Sequence, residues 1–257
     1  MIRPSAIAFA MLATLTGCAS VGGAGASAGK PLMLIVGATG GTGQEAVEQA
    51  LEKGYVVRAL VRDEAKARTL FGDRVTYAVG DVRQPRSLLP AMRGVDYVVS
   101  ALGSNVQRDP ENKPELVDYG GVKSLAEAAQ KAGVQHFVLT SSMGVTNPDH
   151  QLNRILDNIL IWKLKGEEAL RASGVPYTIV RPGSLNNDPG GQKGIKVLQG
   201  DPEDVVGQIP RADVAAVLVN AVGRKEALGT TFEIVSDPDS PLPDWDAFFA
   251  GLEPDVR

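Results

Sequence analysis

The chain has 257 residues, with 26 Lys and Arg against 30 Asp and Glu, a formal net charge of −4, one cysteine and two histidines. The balanced charge leaves no electrostatic footprint for nucleic acid, and the single cysteine excludes an intramolecular disulfide. His136 and His150 lie apart from any cysteine or carboxylate cluster at ligand spacing, so no metal is expected. Past the first thirty residues roughly 230 remain, enough for one large domain with its own core.

The chain opens with a leader. Met1-Ile2-Arg3 carries one positive side chain, residues 6–15 form an apolar run too short to span a bilayer, and Leu15-Thr16-Gly17-Cys18 puts small residues just ahead of the lone cysteine. This order resembles the lipobox of bacterial lipoproteins. The resemblance implies a signal peptide over 1–17, acylation of Cys18, and a mature protein in the cell envelope, anchored by lipid outside the cytoplasmic membrane. Residues 18–30, rich in Gly, Ala and Ser, read as a flexible tether. The alternative is a start at Met33, which gives a nearly complete cytoplasmic protein, and the leader has no twin arginine.

Residues 32–36 then read as a buried strand running into Gly37-Ala38-Thr39-Gly40-Gly41-Thr42-Gly43, with a helical pattern over 44–53. Glycine at every third position permits a tight turn and lets backbone approach a pyrophosphate with no Cβ in the way. The N–H groups and positive dipole end of the following helix then face the phosphates. A strand–turn–helix context is what such a motif needs, and a dinucleotide is the ligand it implies.

Strand and helix alternate from there. Strands are expected over 55–61, 75–79, 96–101, 137–141 and 177–180, and helices over 64–71, 85–92, 117–131 and 152–172. Pro85 opens its helix where proline is tolerated, and Gly133 follows the end of another. Repeated βα units with apolar, β-branched strands predict an α/β Rossmann fold, a doubly wound parallel sheet with helices on both faces. The remainder, with strands near 195–198 and 231–235 and helices over 212–222 and 245–252, is expected as a small C-terminal extension on the substrate side. Residues 31–257 are thus read as one NAD(P)-binding domain.

Three stretches together carry a family resemblance: the glycine turn, Leu139-Thr140-Ser141-Ser142, and residues 173–183, Ser-Gly-Val-Pro-Tyr-Thr-Ile-Val-Arg-Pro-Gly. They resemble the atypical short-chain dehydrogenase/reductases, and more narrowly their NAD(P)H-binding, NmrA-like branch. The resemblance implies pyrophosphate binding by Gly37, Thr39, Gly40, Gly41, Thr42 and Gly43, and an adenosine end read by Arg62, with Asp81 and Val82 beside the adenine. Ala101, Leu102 and Gly103 would flank the middle of the cofactor. A guanidinium suits a 2′-phosphate and a carboxylate suits a free 2′-hydroxyl, so Arg62 puts NADP ahead of NAD, while Asp63 directly after it argues the other way.

The family's reductases use a tyrosine as acid/base, a lysine four residues later and a serine from the fifth strand, the lysine lowering the tyrosine pKa. Lys163 and Ser142, or its neighbour Ser141, fit the lysine and serine positions, but Ile159 stands where the tyrosine belongs. Lys163 would still hold the nicotinamide ribose. Arg181 and Pro182 end a strand at the expected nicotinamide end, and residues 186–191 read as a loop over the site or a plain surface connection. Two functions follow. The first is an NADPH-dependent oxidoreductase delivering hydride to a flavin-, quinone- or carbonyl-type acceptor that solvent protonates. The second is a non-catalytic NADP-binding redox sensor or scaffold. The expected partners are the dinucleotide and either a small-molecule acceptor or a protein.

Overall fold

The computed structural model describes Met1, residues 29–107 and residues 109–256. Cys18, residues 2–17 of the expected signal peptide and most of the expected tether lie outside the described residues. Eight strands form one sheet: β1 (Leu32–Val36), β2 (Val56–Val61), β3 (Thr76–Val79), β4 (Tyr97–Ser100), β5 (His136–Thr140), β6 (Tyr177–Pro182), β8 (Gly194–Leu198) and β10 (Thr230–Asp237). Their spatial order is β3-β2-β1-β4-β5-β6-β10-β8, parallel throughout except that β8 runs antiparallel to β10 at the edge. A second, two-stranded sheet pairs β7 (Ser184–Asn186) with β9 (Gln208–Pro210). The order reverses on either side of β1, and the crevice at such a switch point is where open α/β sheets take ligands. The expected Rossmann architecture is what forms.

The sheet is covered on both faces. One face packs against α1 (Gly41–Glu52) and α7 (Arg211–Ala221), with Ile35, Val99, Val138 and Phe232 in its core. The other packs against α3 (Leu88–Ala91) and α4 (Gly120–Ala132), around Leu34, Val98, Leu125 and Phe137. Local signals place the ends of several helices. The Asp63 carboxylate accepts from Lys66 N at 3.0 Å and caps α2 (Glu64–Phe71), while Gly133 closes α4 in the left-handed conformation.

The helix expected over 152–172 is instead two, α5 (Gln151–Ile155) and α6 (Ile159–Ala172), separated by Asp157 and Asn158 at positive φ. Asn153 causes the break. It is buried, and its Oδ1 accepts from Leu160 N at 3.0 Å, giving the start of α6 a side-chain acceptor. The helix expected over 117–131 likewise begins as a π-helical turn, Glu115–Tyr119, before α4. The C-terminal strands differ as well: β10 and β8 extend the main sheet rather than forming an appendage.

Candidate active site

The glycine turn divides its labour. Gly37 has φ +75°, and a Cβ there would lie 2.6 Å from Ala101 O, so both conformation and contact demand glycine. A Cβ on Gly43 would meet Gly37 O at 2.1 Å, so this glycine lets α1 close onto the turn. Gly41 makes room for Arg211, whose Cδ would lie 2.6 Å from an added Cβ and whose Nη1 donates to Asn187 Oδ1 at 2.7 Å. At Gly40 an added Cβ would touch only Gly37 O, at 3.3 Å. The space against Gly40 is therefore not used by the fold. The first turn of α1 has neither a side-chain cap nor an acidic residue, so its positive end is uncompensated. This cradle, open where a Cβ would project, fits a dinucleotide pyrophosphate.

The groove above the turn holds about 450 Å³. Gly37, Thr39 and Gly40 line it from the turn, Arg62 from the end of β2, and Asp81 and Val82 from the end of β3. Ala101, Leu102 and Gly103 line it from the end of β4. The carboxyl ends of four adjacent strands thus bring together nine of the expected residues. Gly41, Thr42 and Gly43 lie in the first turn of α1, outside the groove wall.

At the Arg62 end of the groove the carboxylates are committed. Asp63 caps α2. Asp81 takes Arg83 Nε and Nη2 at 2.7–3.1 Å, and the Arg83 guanidinium holds the Asp81 carboxyl below its ordinary pKa. Arg62 pairs with Asp109 at 3.1 Å, with more than half of its side chain exposed.

Towards the other end, Lys163 on α6 places Nζ 2.7 Å from Asp118 Oδ1, and Asp118 Oδ2 accepts from Ser104 N at 3.1 Å. Asp118 is buried in the π-helical turn, so it clamps Lys163 to the loop after β4. Ile159 lines a small cavity with Ser104, Asn105 and Leu156. Ser141 is buried, and its Oγ has no hydrogen-bond partner among the described residues. Ser142 and Pro182 line a second cavity of about 340 Å³ at the carboxyl ends of β5 and β6.

Arg181 requires a correction. It is not at the cofactor groove but 5 % exposed within the fold. Its Nε and Nη2 donate to the two oxygens of Glu167 at 2.9 and 2.6 Å, and its Nη1 to Glu233 Oε1 at 3.0 Å. Successive strand residues face opposite sides, so Pro182 reaches the cavity while Arg181 turns inward against α6 and β10. Burial opposes its charge, but the two carboxylates outweigh that and raise its pKa. The loop at 186–191 lines neither the groove nor the second cavity. Gly191 N donates to Asp213 Oδ1 at 2.6 Å, and Gly190 and Gly191 line a separate cavity with Gln49 and Trp245.

Sequence reasoning missed two residues of the second cavity, His150 and Asp201. His150 Nδ1 accepts from Leu152 N at 3.1 Å. Asp201, at φ +54°, accepts from Gly144 N at 2.6 Å and from Thr146 N and Oγ1 at 2.9 Å each. Both sit on irregular loops, where no periodicity marks them. The only signal available was the position of His150 in the loop following β5, at the ligand-binding edge of the sheet.

A family model described as NAD(P)H-binding matches residues 37–225. The chain is 35% identical to sanguinarine reductase of Eschscholzia californica over 254 residues, covering 83% of this chain and 92% of the relative. It is 36% identical to an uncharacterised chloroplastic protein of Arabidopsis thaliana over 241 residues, 84% of this chain and 74% of the relative. Among solved structures, an NAD-dependent epimerase/dehydratase assignment from Bacillus halodurans superposes with a TM-score of 0.74 at 28% identity, covering 84% of this chain and 98% of that one. These findings correct the expected envelope localisation and lipid anchor. Relatives matched over more than four fifths of the chain include chloroplastic plant proteins rather than bacterial envelope lipoproteins. Among the described residues no helix is long and apolar enough to cross a membrane. The lipobox pattern rests on a few residues, whereas these alignments span more than 230.

Proposed function

The chain belongs to the NAD(P)H-binding family, and from that premise we propose that residues 31–257 work as one NADPH-dependent reductase domain. It would deliver hydride to a flavin-, quinone- or carbonyl-type acceptor in the second cavity. One observation carries this reading: two cavities open at the carboxyl ends of one sheet, the first over β1 to β4 and the second over the adjacent β5 and β6. The reductase among the relatives supports it.

In this reading the turn at Gly37–Gly40 and the start of α1 receive the pyrophosphate. Arg62, with Lys66 beside it in the groove wall, takes the 2′-phosphate. Asp63 and Asp81 are already committed to Lys66 N and Arg83, which favours NADPH over NADH. Lys163, steadied by Asp118, orients the nicotinamide ribose, and Ser142 and Pro182 wall the acceptor. When bound, a reduced nicotinamide supplies the hydride. Ile159 offers no proton, so water reaching the open second cavity protonates the reduced acceptor.

Ile159 also favours a second reading, a non-catalytic NADP-binding sensor or scaffold. Titrating the protein with NADPH and NADH by nicotinamide fluorescence, then following NADPH oxidation with added acceptors, decides between them. NADPH-preferring binding with acceptor-dependent oxidation is expected. Binding without oxidation leaves the sensor reading, and binding of neither cofactor overturns both.

A further inference from the structure

The second cavity is built around one imidazole. Its walls hold three ionisable side chains, His150, Asp201 and Glu203. Asp201 is 5 % exposed and gives its carboxylate to Gly144 N, Thr146 N and Thr146 Oγ1, fixing the loop that leaves β5. Glu203 is exposed. On that fixed loop Gly144 adopts φ +80°, and a Cβ there would strike His150 Cδ2 at 2.9 Å and Nε2 at 3.2 Å, so the glycine makes the ring's place. The turn carrying the ring is held from beneath: His150 N donates to Asn147 O, Asn153 N to His150 O, and buried Asn153 Nδ2 to Pro148 O. Because Nδ1 accepts the Leu152 N–H, the neutral ring carries its proton on Nε2.

We propose that His150 Nε2–H is the hydrogen-bond donor for the developing oxyanion of a neutral, phosphate-free carbonyl or quinone acceptor. It supplies the stabilisation that Ile159 cannot. This deepens the reductase reading and rests on it. No Lys or Arg lines the cavity, and two carboxylates do, so an acceptor bearing phosphate or carboxylate meets like charge and no counter-ion. In the step, a hydrogen with its bonding pair passes from reduced nicotinamide to the carbonyl carbon of an aldehyde or ketone, whose π pair moves onto its oxygen, or to one oxygen of a quinone, whose π electrons shift through the ring onto the other oxygen. A water proton then neutralises that oxygen. His150 gives up no proton in this step: Nε2 keeps its hydrogen, because Nδ1 is occupied by the Leu152 N–H. A fixed donor aimed at developing charge is worth about 10²-fold or more in rate.

Two variants separate the donor from the cap that Nδ1 provides. His150→Asn retains an acceptor for Leu152 N and loses the Nε2 donor; His150→Gln does the reverse. With NADPH and menadione, His150→Asn should lower kcat/KM by about 10²-fold while His150→Gln stays within a few fold of the parent. NADPH affinity should be unchanged in both. Flavin mononucleotide should be a far poorer acceptor than menadione. Turnover in His150→Asn equal to the parent, or His150→Gln damaged as much as His150→Asn, overturns the donor role and leaves the reductase reading standing. If the parent oxidises NADPH with none of the added acceptors, the reductase reading falls and the oxyanion role falls with it. Nitrogen-15 spectra of His150 give a readout independent of turnover: the proton is expected on Nε2, and finding it on Nδ1 rejects the proposal.

Discussion

At Gly40 the backbone is extended, φ −80° and ψ 164°, a conformation any residue adopts, and an added Cβ meets only Gly37 O at 3.3 Å. What demands glycine there is the space beside it. Gly40→Val should therefore leave the melting temperature within a few degrees of the parent and abolish dinucleotide binding by fluorescence titration; unchanged affinity would sink the assignment of the groove. His136 shows the opposite case, a histidine with a purely internal role. It is 1 % exposed, its Nδ1 accepts from Gly223 N at 3.1 Å, and its Nε2 lies 2.9 Å from Thr178 Oγ1, which donates in turn to Ala227 O. Burial pushes its pKa from 6.5 down to about 4. The unfolded chain thus binds the extra proton between those values, so the contribution to stability is complete above 6.5 and lost as pH falls towards 4. The shift corresponds to about 3 kcal/mol. Urea unfolding at pH 7 and pH 4.5 should show this slope, and His136→Asn should flatten it. Residue by residue, the glycine turn was legible because its spacing states its own geometry. The second cavity was not, since His150 and Asp201 arrive on loops and meet 51 residues apart in sequence only through Gly144. Arg181 was misread because a position at a strand end does not say which face the side chain takes.

Among the elements, α6 and the π-helical turn before α4 show how close packing overrides propensity. A Cβ on Gly166 would lie 2.2 Å from Asp118 O, so the helix and turn touch through that glycine. In an exposed helix Gly→Ala adds about 1 kcal/mol of stability. Here the intruding methyl forces α6 off the turn at a penalty of about 3 kcal/mol, and the sign reverses. Gly166→Ala should lower stability by about 2 kcal/mol and, by displacing Lys163 from Asp118, weaken NADPH binding. A stabilised variant in denaturant melts would show that α6 does not pack there. Helix α2 spans Glu64–Phe71 as expected, and the structure shows Asp63 and Gly72 capping its two ends. The break between α5 and α6 was not read, because Asn153 acts through burial, which a helical pattern does not reveal.

On the scale of the whole molecule, alternating strand and helix signals were enough to give a doubly wound parallel sheet, while its spatial order, β3-β2-β1-β4-β5-β6, comes from the structure. They put the last third on the substrate side but did not give its pairing, since β8 and β10 meet across a stretch that also carries β9 and α7. A charge network adds to the β6–β10 ladder at that join. Arg181 on β6 holds Glu167 on α6 and Glu233 on β10, Arg171 links Glu167 to Asp255 near the C-terminus, and Asp255 also takes Tyr177 Oη at 2.9 Å and Thr231 Oγ1 at 2.7 Å. Glu167 and Glu233 are fully buried, and burial raises the Glu233 pKa against the pull of Arg181. A buried pair is poor evidence of net stability, because desolvation offsets most of its attraction; removing one partner is another matter, since it strands the others. Arg181→Met should therefore cost about 3–5 kcal/mol in urea unfolding at pH 7. Replacing Glu233 by Leu in the same chain should recover much of it, because the stranded carboxylate goes too. The two changes must be strongly non-additive. If they simply add, the network does not tie the C-terminal third to the sheet, and that third is held by the β6–β10 ladder and the apolar packing of α7, Phe232 and Phe249.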